Sequence, residues 1–276
     1  MLENHVVVGV DGSVVATRAL DAAAEESRRR SVPLEIVYAV PDPDMAGPVL
    51  TTSADRVAAR RPEVAVRLTA VVAGPAAALV ARGRDAALLV VGTRAMGAPA
   101  SLVSRSVAQR VAERSPCPVL VVGAGRFAGH VEAGEVLFAV GSDDDIEAAG
   151  FAFEEAVRRG AHLRFVHTAH YRPSSAAAPY STARATEAAC PAGEGQGRNG
   201  IGPAAIPLAD SEVVGATAGA DVVVVARRQC GAKGSHMRTL HALLHHARCP
   251  VLLVPVGPTP PGHGAGPGRT DGPSGR

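Results

Sequence analysis

The 276-residue chain has no tryptophan, and aromatic residues make up only 3% of it. Its cores must therefore be filled by Val, Leu and Ala. There are four cysteines and no Cys-x-x-Cys pair, which removes zinc ribbons and dithiol redox motifs. Cys117 and Cys249 precede matching Pro-Val runs, while Cys190 and Cys230 fall in unrelated stretches, so no disulfide framework emerges and a reducing cytoplasm is the expected location. Neither sign of charge dominates: 28 Lys and Arg oppose 26 Asp and Glu, for a net charge of +2. That is too little to argue for a nucleic-acid partner. The Arg residues interleave with Asp and Glu and read as solvated helix faces. No apolar run reaches the length of a membrane span, so no membrane partner is expected. The start, MLENH followed by VVVGV, lacks a basic n-region and reads as a first buried strand rather than a secretory signal.

Common enzyme signatures are also missing. There is no GxxxxGK[ST] loop and no GxSxG elbow, and Gly9-x-x-Gly12 is not the GxGxxG dinucleotide fingerprint. No Ser/His/Asp or paired-carboxylate arrangement can be placed, so no catalytic residue is assigned. His241 and His245 share a helical face, with His246 beside them and His236 upstream, but no third ligand is evident and no metal site is assigned. Asp143, Asp144 and Asp145 read as a helix N-cap. Arg28 to Arg30 end a helix and complement its dipole, and Arg227 and Arg228 read as a solvated loop.

What the chain does have is a strong alternation of buried strands and amphipathic helices. The stretch Leu88 to Val122 reads as strand, small-residue loop, helix and strand. Leu88 to Val91 is apolar without alternation, as in a strand buried on both faces of a parallel sheet. Ser104 or Ser106 opens the helix, and Pro116 and Pro118 close it. A loop running from a strand end to a helix start aims backbone N–H groups at one spot, where an anion can sit. Before it come strands over 6–10, 34–40 and 64–71, with helices over 16–30, roughly 50–60, and after Gly74-Pro75. The expected fold class is α/β with a mainly parallel sheet covered on both faces.

The pattern then repeats. VLFAVGS at Val136 echoes VVVGVDGS, Phe151 to Gly160 echoes the first helix, and HLRFVH at His162 echoes the second strand. DVVVVA at Asp221 echoes LLVVG, and CPVLLV at Cys249 echoes CPVLVV, a domain-sized period of roughly 130 residues. Two domains are expected, over 1–125 and 136–257, with a linker over 126–135. The second is eroded: 170–203 is rich in Ala, Ser, Gly and Pro and reads as a mobile insert. The tail over 258–276 is low-complexity and reads as disordered.

VVVGVDGS with its following helix, together with LLVVGTR…SRSVAQRVAERSPCPVLVV, resembles the universal stress protein family; FAFEEAVRRGAHLRFVH and LHALLHHARCPVLLV resemble a second copy. The resemblance implies two tandem doubly wound domains, adenine nucleotide alpha hydrolase-like, each of strand order 3-2-1-4-5. Ligands of such sheets bind at the carboxyl ends of the strands flanking the switch point. Here those ends are Val10, Asp11, Gly12 and Ser13, and Gly92, Thr93 and Arg94. Many family members bind ATP there through Gly-x-x-Gly, nine residues, then Gly followed by Ser or Thr. Gly92 matches the first glycine and Ser106, followed by Val107, the hydroxyl residue. Ala95 and Arg105 stand where the other two glycines belong. Asp11 and Val40 match positions that contact ribose or base.

Glycine serves where backbone must approach phosphate closely. Ala95 adds a methyl group, and Arg105 either blocks the phosphate position or pairs with it. In the second domain Val140 and Ala226 replace the Asp and the first Gly, and Met237-Arg238 align with the Gly-Ser pair, so no nucleotide is expected there. The resemblance thus implies a cytoplasmic stress-response factor whose first domain binds ATP, with Mg, as a sensor with at most slow hydrolysis. The alternative is an interaction scaffold that binds no nucleotide. The last strands, VLVV and VLLV, are expected at sheet edges, pairing the two domains within the chain or two chains in a homodimer.

Overall fold

The computed structural model describes residues 4–93, 106–123, 134–142, 145–172, 209–228 and 235–257. The expected insert, linker and tail fall largely or wholly outside these residues. In the first half the order is β1 (His5–Val10), α1 (Val14–Arg30), β2 (Leu34–Ala39), α2 (Gly47–Arg60), β3 (Val66–Val71), α3 (Pro75–Arg82), β4 (Ala86–Gly92), α4 (Val107–Arg114) and β5 (Val119–Val122). The second half contributes β6 (Glu135–Ser142), α5 (Ile146–Arg159), β7 (His162–Arg172), α6 (Asp210–Ala216), β8 (Val222–Arg228), α7 (Ser235–His246) and β9 (Val251–Val256).

All nine strands join one sheet in the order β3-β2-β1-β4-β5-β9-β8-β6-β7. The first half has the 3-2-1-4-5 order that the resemblance implied. The second half runs the same way as far as the counterpart of β2; the sheet ends at β7 among the described residues. Within each half every pairing is parallel, with Val8 beside both Ile36 and Val90. The uninterrupted Val and Leu runs have this cause: a central parallel strand is covered by helices on both sides and has no solvent face.

The strands VLVV and VLLV are not edges of the assembled sheet. β5 and β9 pair antiparallel, Leu120 opposite Leu252, and close the two halves into one body. Each would be an edge in its own half, and pairing removes both unpaired backbones at once. The hydrophobic cores follow suit. One side combines Leu20, Leu50 and Leu120 with Phe138, Ala152 and Leu252 beneath α1, α2 and α5. The other combines Leu79, Leu89 and Val111 with Val213, Val223 and Leu243 beneath α3, α4, α6 and α7. Both cores therefore cross the junction.

Several charges expected on solvated faces are buried at that junction. Glu155 is fully buried and Glu26 nearly so. Arg30 Nη2 donates to Glu155 Oε2 at 2.6 Å, and Arg159 donates across to Glu26. Each arginine also pairs with the glutamate one turn earlier on its own helix, Arg30 with Glu26 and Arg159 with Glu155. Burial pushes the Glu155 carboxyl up, but Arg159, Arg30 and Arg158 together hold it below the usual carboxylate range. Burial draws the Arg30 guanidinium down to about 10 against the pull of Glu155. It stays charged at neutral pH. The sequence masks this because a polar helix face becomes buried only when its repeat meets it.

Candidate functional site

β1 and β4 lie side by side, and their chains leave the sheet on opposite faces, β1 into α1 and β4 toward α4. The fork leaves a crevice at their carboxyl ends. Val10 closes β1 and is buried; Asp11 and Gly12 are exposed. Gly12 turns the chain with φ +77°, the left-handed region that glycine enters without strain. Ser13 then caps α1, its Oγ accepting from the Ala16 N–H at 3.2 Å. Asp11 Oδ1 accepts from the Ser13 N–H at 2.9 Å, which fixes one oxygen of this exposed carboxylate. Val40, just past β2, is buried and donates its N–H to the Val71 carbonyl at 3.0 Å.

Gly92 ends β4 beneath the first turn of α1. A Cβ there would stand 2.7 Å from Val15 Cγ1 and 2.8 Å from the Val15 carbonyl oxygen. That backbone cannot retreat without lifting α1, so this position requires glycine. Thr93 extends the ladder, donating its N–H to Val122 at 2.9 Å. Ser106, not Ser104, is the N-cap of α4 described here. It forms a full capping box, Gln109 N–H to Ser106 Oγ at 3.2 Å and Ser106 N–H to Gln109 Oε1 at 3.3 Å. Arg110 N–H bonds the Ser106 carbonyl. The box therefore leaves the Val107 and Ala108 N–H groups, and the Ser106 hydroxyl proton, as the donors at the start of α4. Arg94, Ala95 and Arg105 lie outside the described residues, as does Ser104.

Thus Val10 to Ser13, Gly92 and Thr93 share the end of one strand pair, with Val40 one strand further out and Ser106 and Val107 on the α4 side. Val15 had no signal in the sequence; its part emerges only from its packing on Gly92. A cavity of about 440 Å³ beside Gly12, between α1 and α2, also escaped the sequence. Several of its polar groups are engaged within the protein: Arg56 grips Asp21 through Nε and Nη2, both at 2.7 Å, Thr17 Oγ1 donates to the Ser13 carbonyl and Ser53 Oγ to the Val49 carbonyl.

The corresponding crevice of the second half is built differently. Ala226, fully buried, replaces Gly92. Arg227 is not in a solvated loop; it is buried on β8 and donates to the Ser115 carbonyl at the C-terminal end of α4. A cation suits that end of the helix dipole. Burial lowers the Arg227 pKa, and its Nε has no hydrogen-bond partner. Asp145 occupies the N-cap position of α5, but its carboxylate turns back to accept from the Gly141 N–H at 2.8 Å instead of capping the helix. Asp143 and Asp144 lie outside the described residues. His241 and His245 stack edge-on at 4.1 Å. Among the described residues no three His, Cys, Asp or Glu side chains converge as a metal site, and no helix is long and apolar enough to cross a membrane.

The family model for universal stress proteins matches residues 3–123 and again 133–255. The chain belongs to the universal stress protein family. It carries the family unit twice. A universal stress protein of Mycobacterium tuberculosis strain H37Rv is 35% identical over 130 residues, 42% of this chain and 44% of the relative. The chain thus spans less than half the length of that relative. A universal stress protein from Thermus aquaticus is 35% identical over 132 residues, 42% of this chain and 96% of the relative. The crystal structure of a universal stress protein from Archaeoglobus fulgidus superimposes with a TM-score of 0.65 at 16% identity, covering 92% of this chain and 99% of that one, which speaks for the fold. The first half here has Asp11, Gly92 and Ser106 at these positions, and the second has the same sheet with Ala226 in place of Gly92 and Asp145 turned back onto Gly141.

Proposed function

We propose that the first half of this universal stress protein binds an adenine nucleotide, ATP with Mg, in the crevice between β1 and β4. The observation that supports the reading is the placing of Asp11 and Gly92 at the carboxyl ends of the paired strands β1 and β4, with the helix that follows β4, α4, starting in unspent N–H donors. Asp11 and Val40 flank the adenosine, Gly12 and Ser13 form the turn beneath it, and Gly92, Thr93, Ser106 and Val107 hold the phosphates. Helix starts favour anions through their free N–H groups and dipole. Arg94, Ala95 and Arg105 complete the set by their sequence positions. The nucleotide acts as a stress signal rather than a turned-over substrate, with hydrolysis slow at most. The free, buried Cys117 and Cys249 are in keeping with a reducing cytoplasm.

The test is to extract and identify nucleotide from freshly purified protein and to titrate the stripped form with ATP and magnesium. Binding that disappears in Asp11→Ala, with the melting curve retained, is the expected result. No bound nucleotide and no heat at millimolar ATP would overturn it. Arg105→Gly then separates two roles: tighter binding means the arginine obstructs the phosphates, weaker binding means it contacts them. One observation favours the scaffold alternative: Ser106 already has both its N–H and an Oγ lone pair engaged by Gln109.

A further inference from the structure

A groove of about 390 Å³ runs along the outside of the molecule between α3 and α4. Its floor is apolar and shallow. Ala77 and Ala81 are exposed, and Val80 and Val107 are half-buried. The larger Leu79 points inward to the core, and toward the groove α3 presents Pro75, Ala76, Ala77, Val80 and Ala81, none bulkier than valine. The rim has one sign of charge. Arg84 stands just past the end of α3, and Arg110 and Arg114 lie one turn apart on α4; among the described residues no carboxylate lines the groove. Among the described residues neither Arg84 nor Arg114 is in an ion pair. This contrasts with Arg28, Arg56 and Arg158, each matched to a carboxylate.

We propose that this groove docks an acidic amphipathic helical segment of a partner protein. An apolar floor rewards buried side chains, and a cationic rim rewards carboxylates on the flank of the same segment. The small residues of α3 let a helix backbone approach closely. Each of α3 and α4 has eight residues, about 12 Å of helix, so the groove accommodates two turns of a docked helix. A polyphosphate or nucleic acid would gain from the arginines and nothing from the floor. The groove shares only Val107 with the nucleotide crevice and does not rest on that reading.

The probe is a labelled synthetic helix with Leu on one face and Glu on the other, titrated with the full chain and read by fluorescence anisotropy. Binding is expected for this peptide and not for a version with Lys in place of Glu. The double variant Arg84→Gln with Arg114→Gln should weaken it about tenfold with the fold retained by circular dichroism. Ala77→Trp, which fills the floor and leaves the charge unchanged, should weaken it as well. Equal binding of the Lys peptide, or undiminished binding by either variant, overturns the proposal. A version with Ser in place of Leu that binds as tightly also overturns it, in favour of a plain polyanion site.

Discussion

Arg30 of α1 and Glu155 of α5, 125 positions apart in the chain, meet at 2.6 Å in the interior. The contact has a twin in Arg159 with Glu26, so the four side chains form a closed ring about the local two-fold relating the halves. Each glutamate receives an arginine from its own helix and one from the other. A buried carboxylate is tolerated when its lone pairs are filled in this way, and it is costly when they are not.

Replacing Glu155 by Gln leaves Arg30, Arg158 and Arg159 crowded around a neutral amide. Loss of one partner from a buried charge network costs about 3 kcal/mol. Urea unfolding should show that loss at neutral pH. A change no larger than that of a surface substitution would mean that the ring contributes nothing net.

Acid should act through Glu155 of this ring and through Glu25, which lies next to Glu26 and pairs with Arg28, Arg29 and Arg61. Glu155, and Glu25 with its arginine neighbours, have folded-state pKa values below the ordinary 4.5. In acid the unfolded chain therefore binds more protons than the folded one. The stability they lend is whole above pH 4.5 and drains away as the pH falls through the folded values. Unfolding free energies measured across the acid range should decline, with a shallower slope in Glu155→Gln. Parallel slopes for the two proteins would rule out this origin.

Gly92→Ala places a methyl group against the Val15 backbone, 2.8 Å from its carbonyl oxygen. Overpacking of this kind costs about 1–3 kcal/mol, and a lower melting temperature in nucleotide-free protein should register it. The same change at exposed Gly150, whose Cβ would meet nothing, serves as the contrast and should not destabilise the protein.

Ser106 has two separable duties. Ser106→Ala removes the cap of α4 and should cost about 1 kcal/mol in nucleotide-free protein. Ser106→Asp keeps a capping oxygen but sets a negative charge where phosphate is proposed to land. It should melt like the native protein and fail to bind ATP. If Ser106→Asp binds ATP normally, the phosphates lie elsewhere.

The buried thiols should be inert. Burial raises the Cys117 pKa and pushes Cys249 up to about 12, so neither holds appreciable thiolate in mildly alkaline buffer. Alkylation followed by peptide mapping should leave both unmodified in native protein and label both after denaturation.

The sequence made the strand interiors legible, because a run such as Leu88 to Val91 has few other uses. It also narrowed one helix start to Ser104 or Ser106 and placed another at Pro75, since caps are local chemistry. The arginine and glutamate ring was illegible for the opposite reason. Glu26 and Arg30 sit in AEESRRR, which reads as an outer face until the second copy covers it. Arg227 misled in the same way: two arginines after a strand suggest solvent, but its guanidinium reaches an acceptor at Ser115, far away in the chain. The places of Asp11 and Gly92 at strand ends were legible, whereas the need for glycine at position 92 rests on Val15, which carries no motif.

The antiparallel join of β5 to β9 has one more consequence. Two separate copies meeting through such strands would part on dilution, and their stability would depend on protomer concentration. Here both strands belong to one covalent chain, so their meeting is unimolecular and independent of concentration. The two surfaces are also encoded separately. A self-complementary pair of identical subunits must accept every substitution twice, whereas this chain can alter one crevice, as at Ala226 and Arg227, and leave Gly92 on the other side untouched.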